Sequence, residues 1–132
     1  MTGAITKGLI IDEPWISAIL SGRKTWEMRK TNCRLRGDIA LIRKGSGLLV
    51  GTASVVGCEL PLDSLAKYAA AESKHCIPTD RQQKAFSDGW RIPWVLANAR
   101  TLKNPVRYNH PYGAVIWVNL EPDAIASVNV QV

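Results

Sequence analysis

Metal ligands and disulfide partners are scarce in this chain. Its 132 residues include three cysteines, Cys33, Cys58 and Cys76, which stand far apart with no C-x-x-C pair and no histidine at ligand spacing. A zinc site is therefore not expected, nor any other metal or cofactor. An odd cysteine count with no signal peptide in view points to three free thiols in a reducing cytoplasm. No apolar run approaches the length of about 20 residues that a helix needs to cross a bilayer, so no membrane partner is expected. The G-x-x-x-x-G-K-[ST] phosphate loop is missing, and the chain has no internal repeat, low-complexity tract or interdomain linker.

What remains is the composition of a globular protein, 46% hydrophobic and 21% charged. Residues 1–132 are expected to form one domain, large enough to bury a core without staples. Lys and Arg outnumber Asp and Glu by 17 to 11, a formal net charge of +6. That surplus favours a polyanionic partner, because cations gain by releasing counterions from phosphates. Charge alone does not single out nucleic acid.

The densest run of chemistry is Gly22-Arg23-Lys24-Thr25-Trp26-Glu27-Met28-Arg29. Before it, Trp15, Ile16, Ile19 and Leu20 recur at helical spacing, Pro14 suits a first turn and Gly22 ends the helix. After Gly22 the period becomes two. Trp26 and Met28 alternate with Thr25, Glu27 and Arg29, as in a half-buried strand, and Lys24 stands at its entrance. The polar face is open to two readings, a solvated surface whose charges pair across a sheet or one wall of a binding site. Trp15 is either a core aromatic or a stacking surface.

Around this run, residues 1–6 read as a loose start and Lys7 to Ile11 as a first strand. Thr31 to Asp38 is a basic loop closed by Gly37-Asp38. Ile39 to Lys44 and Leu48 to Glu59 form a hairpin about Gly45-Ser46-Gly47, with Gly51 and Gly57 as bends that curl the sheet. A helix starts after Asp63 or Ser64 and carries Leu65, Tyr68, Ala69 and Glu72; a second runs from Thr79-Asp80 through Phe86 to Gly89. Between them His75 adjoins Cys76, but neighbours in sequence seldom face one another as nucleophile and base. Strands follow over Trp94 to Leu102, Pro105 to Tyr108 and Gly113 to Leu120, and the tail beyond Pro122 adds at most an edge strand through Ile125, Val128, Val130 and Val132. The fold class is α+β, a small curled β-barrel of mixed strands with two or three flanking helices.

The G-x-K-x-x-E-x-R run after a short helix, with Gly37-Asp38 downstream and Trp94-Val95-Leu96 near the end, resembles the ASCH domain, a member of the PUA-like superfamily of small β-barrels. The resemblance spans most of the chain. It implies RNA binding or transcriptional coactivation and, in some bacterial branches, RNA cleavage or hydrolysis of acetylated cytidine. It also implies that Trp94 and Asn98 border the cleft.

In such a cleft Arg23, Lys24 and Arg29 offer charge to phosphates, and Glu27 meets an exocyclic amino group or braces Arg29. Trp15, Trp94, Tyr108 and His110 line the path of single-stranded RNA or of a free nucleotide or nucleoside. The loop from Tyr108 to Gly113 reads equally as an ordinary turn at the barrel rim. A small metal-independent hydrolase is the alternative. In acetylcytidine amidohydrolases of this fold, a Lys at the position of Lys24 works with a Thr three residues later and a Glu in the following helix. Here Glu27 occupies the Thr position, Thr25 lies two residues earlier, and Glu72 falls near the place of the helical Glu. A third class, a module that recruits proteins, has no sequence feature that names a partner.

Overall fold

A computed structural model describes residues 4–132. Part of the expected loose start, residues 1–3, lies outside the described residues. The elements in chain order are β1 (Lys7–Ile11), α1 (Trp15–Leu20), β2 (Trp26–Arg29), β3 (Gly37–Arg43), β4 (Leu48–Cys58), α2 (Leu65–Ala70), α3 (Glu72–His75), α4 (Thr79–Ser87), β5 (Ile92–Arg107), β6 (Trp117–Asn119) and α5 (Pro122–Asn129). The six strands make one mixed, curled sheet in the order β2-β5-β4-β3-β1-β6. Only β1 and β3 run parallel; the other neighbours are antiparallel. The fold is α+β, as expected.

Curling comes from the ladder between β4 and β5. Its register shifts between Leu49 and Gly51, between Thr52 and Ser54, and between Val55 and Gly57. Each extra residue bends and twists the pair, so the two glycines read as bends do sit at bulges. Gly51 has a further reason to lack a side chain. A Cβ there would stand 2.7 Å from the Arg100 carbonyl oxygen and would overlap the end of Leu20, so α1 and β5 close over bare backbone.

Two apolar clusters fill the two sides of the sheet. One packs Ile10, Ile42, Leu49 and Val118 under α5. The other packs Leu9, Leu41, Val55 and Trp94 under Ile16 and Ile19 of α1. A third, smaller cluster joins Met28 to Tyr68 and Ile77, tying β2 to the helical segment.

Three expectations change. The two strands expected over Trp94 to Leu102 and Pro105 to Tyr108 are one continuous β5. Partners jump from Val106 opposite Leu49 to Thr101 opposite Gly51, so Pro105 lies off the ladder, where its missing N–H is harmless. The strand expected from Gly113 shrinks to the three residues of β6. The tail is the helix α5, not an edge strand. Pro122 opens it, and Ala124, Ile125 and Val128 fall at helical spacing against the core.

Candidate functional site

α1 ends at Leu20, and Gly22 takes a left-handed φ of 84° that favours glycine. The chain then enters β2 after the five residues 21–25, at the sheet edge paired only with β5. The polar residues of this strand do not face open solvent. Lys24 is 2% exposed, Glu27 6% and Arg29 8%. They line a cavity of about 800 Å³ together with Trp15.

The three charged groups are wired to each other and to backbone. Lys24 Nζ donates to the Trp26 carbonyl at 2.6 Å and to the His75 carbonyl at 2.8 Å, and stands 3.5 Å from Glu27 Oε1. Burial pushes the Lys24 amine down from its ordinary range, and the Glu27 carboxylate opposes that shift. Three acceptors around one nitrogen match an ammonium with three N–H donors, not a neutral amine with two. Arg29 presents Nε at 3.0 Å and Nη2 at 2.8 Å to Glu27 Oε2, and Nη2 also donates to the Ile10 carbonyl at 2.8 Å. Its guanidinium lies over Trp94, with Cζ 5.4 Å from the ring centre.

His75 shows why the Lys24 carbonyl seat is rigid. The ring is fully buried, its Nδ1 accepts from the Ile77 N–H at 2.9 Å, and Nε2 lies 2.7 Å from the Tyr68 carbonyl. Since a carbonyl only accepts, Nε2 carries the hydrogen and the ring is neutral. Burial depresses its pKa accordingly. Cys76 turns away to the Arg23 carbonyl at 3.5 Å, so the adjacent His and Cys form no nucleophile–base pair.

Opposite the charged strand, Tyr108 and His110 also line the cavity. His110 Nε2 is 2.9 Å from the Ala114 carbonyl, to which it donates, and its Nδ1 lies 2.8 Å from the Tyr108 hydroxyl. Burial raises the Tyr108 pKa, with the Glu121 charge adding to it.

Six of the nine expected binding residues therefore share one cavity: Trp15, Lys24, Glu27, Arg29, Tyr108 and His110. Three do not. Arg23 is exposed outside it. Trp94 is 2% exposed, stacks on Trp117 with ring centres 5.9 Å apart, and donates Nε1–H to the Thr31 carbonyl, so it belongs to the core. Asn98 sits in the bulge of β5 with a φ of 56°, which breaks the alternation begun by Trp94 and Leu96. Its side chain joins Asp38, Ser54 and Arg100 around a separate depression.

Of the expected catalytic set, only Lys24 and Glu27 meet. Thr25 is exposed and precedes β2, its backbone bonded to Lys74 and Leu96. Glu72 binds Thr79 Oγ1 at 3.1 Å and Gln82 Nε2 at 2.6 Å, bracing α3 against α4. Sequence reasoning missed Trp90, Lys44 and Asp12 as cavity residues. Lys44 had a signal in the adjoining Gly45-Ser46-Gly47 turn, whose two glycines both take positive φ. Trp90 had none beyond standing after a helix stop; Lys30 Nζ lies 4.7 Å from its ring centre. Among the described residues no group of three His, Cys, Asp or Glu side chains is placed to hold a metal ion, and no helix is long and apolar enough to cross a membrane.

The fold has solved counterparts. A crystal structure of ASCH from Zymomonas mobilis superposes with a TM-score of 0.68 over 92% of both chains at 12% identity. Two structures of singly substituted forms of that protein give TM-scores of 0.68 and 0.65 at 14% and 13% identity, covering 92% and 97% of this chain and 94% and 96% of theirs. No curated protein sequence matches the chain. The family model described as the ASCH domain matches residues 9–106, from within β1 through nearly all of β5 and across every charged residue that lines the cavity, while Tyr108 and His110 follow the matched segment. The chain belongs to the ASCH domain family.

Proposed function

We propose that the chain binds a nucleotide of unpaired RNA in the cavity between β2 and the loop after Tyr108, as one module acting in a reducing cytoplasm. The observation that carries this reading is a pairing of opposites in one space. A buried Lys24–Glu27–Arg29 group forms one wall, and flat surfaces from Trp15, Trp90 and Tyr108 stand around it. Ligand pockets of about 300–1,000 Å³ are usual for small molecules, and a cavity of about 800 Å³ has room for a base and its ribose phosphate. Aromatic faces accept any base by stacking, while the cations answer its phosphate. The family's general association with RNA and the net charge of +6 support the same direction.

The test is a titration with short single-stranded RNA and with acetylcytidine, followed by tryptophan fluorescence, with chromatography for products. Salt-sensitive RNA binding without product supports the module. Release of acetate or shortened RNA would instead favour the hydrolase. For that alternative the structure offers Lys24 and Glu27 at 3.5 Å, but Lys24 already has all three donors engaged, and Thr25 and Glu72 lie outside the cavity.

A further inference from the structure

Resting on the reading of the cavity as a nucleotide site, we propose that its inner wall receives a terminal phosphate, a phosphomonoester, while the base stays at the aromatic mouth. Arg29 carries the inference. Its Nε and Nη2 face Glu27 and the Ile10 carbonyl, and no bond among the described residues uses Nη1. Nη1 has two N–H donors. It is not one of the side-chain nitrogens sealed from solvent without a partner, and Arg29 itself lines the cavity. Yet Arg29 is only 8% exposed, and Trp94 holds its plane. A fixed donor pair, nine-tenths buried and facing a cavity, lacks an acceptor that a ligand would supply.

Charge decides which acceptor fits. The ammonium of Lys24 and the guanidinium of Arg29 face a single carboxylate, Glu27, so the inner wall carries one uncompensated positive charge. Lys44 and Asp12, both exposed, add one charge of each sign to the rest of the cavity lining. A base carbonyl would satisfy Nη1 but leave the buried surplus unmatched, whereas a phosphate answers both. Glu27 lies against the Nε–Nη2 edge of the guanidinium, away from the open Nη1, so the ligand's charge is kept off its carboxylate. A phosphate that reaches a nine-tenths buried arginine is more easily accommodated with one ester link than with chain continuing on both sides. The source is either a free mononucleotide or the phosphorylated end of single-stranded RNA.

The experiment titrates the full chain with one single-stranded RNA hexamer bearing a 5′-hydroxyl, a 5′-phosphate or a 3′-phosphate. A nucleoside 5′-monophosphate is compared with its nucleoside in parallel. A phosphorylated end should bind about tenfold more tightly than the hydroxyl end, as expected for a charge-assisted pair, and Arg29→Lys, which keeps charge without the fork, should erase the preference. Mononucleotide binding equal to the hexamer's assigns the ligand to free nucleotides, and hexamer binding alone assigns it to RNA ends; either supports the site. Hydroxyl-ended RNA that binds as tightly as phosphorylated RNA overturns the phosphate site and leaves RNA binding intact. Silence with every ligand overturns both. Should Arg29→Lys unfold in a urea check, the 31P resonance of the monophosphate on the unmodified protein decides instead. A shift on binding supports contact with Arg29, and binding without one refutes it.

Discussion

Replacing Lys24 with methionine keeps most of the side-chain volume and removes the ammonium, so it separates bracing from packing. Two carbonyls lose their donor. The His75 carbonyl is buried and receives its bond from Lys24 at 2.8 Å, so it bears the full penalty of an unpaired buried acceptor, about 1–3 kcal/mol. The Trp26 carbonyl is only part-buried beside the cavity, where water can replace the donor, and its loss is small. Glu27 keeps Arg29 at 2.8 Å and stays ionised. Against these losses stands relief from burying a cation, the effect that pulls the Lys24 pKa down. The balance is a destabilisation of about 1–2 kcal/mol, a sizeable part of the 5–15 kcal/mol of a typical domain. With a urea slope of about 2 kcal/mol/M, the unfolding midpoint read by tryptophan fluorescence should fall by about 0.5–1 M. A midpoint within about 0.3 M of the parent, well inside that slope's reach, would show that Lys24 does not brace β2 to the His75 segment.

Other expectations are as direct. His75 is neutral when folded and its pKa is depressed by burial, so its stabilising effect is complete above the unfolded value of about 6.5 and is lost as pH falls toward the folded value. Below about pH 6.5 the unfolded chain binds a proton that the folded ring refuses, a slope of up to about 1.4 kcal/mol per pH unit; an NMR titration placing His75 at or above 6.5 would contradict it. Gly51→Ala puts a methyl into the Arg100 carbonyl and Leu20, and should cost about 1–3 kcal/mol, read as a lower thermal midpoint; unchanged stability would mean that α1 can lift off without penalty. Thr25→Ala, outside the cavity, should leave nucleotide affinity within about twofold, a change of under 0.5 kcal/mol, and a larger loss would return Thr25 to the site.

How far the sequence could be read depended on which residues are governed by local rules. Gly22, Pro14 and the apolar stripe of α1 are local, and so is the Gly45-Ser46-Gly47 turn; each stands where spacing put it. The charged strand was found for the same reason, but its burial was not, because period two says which residues share a face and nothing of what covers that face. Covering comes from Ile77, Trp90 and the loop at Tyr108, which are distant in sequence. Asn98 shows the opposite failure. Alternation carried it onto the face of Trp94 and Leu96, and a single residue at positive φ shifted the register beyond that point. Trp94 was placed at the cleft by the family resemblance of Trp94-Val95-Leu96, which does not tell whether an aromatic ring faces a ligand or a neighbouring side chain. In the fold its face is already occupied by Arg29. That occupation holds the guanidinium in place and leaves Nη1 without a bond among the described residues, so under the proposed phosphate site Trp94 acts by aiming Arg29.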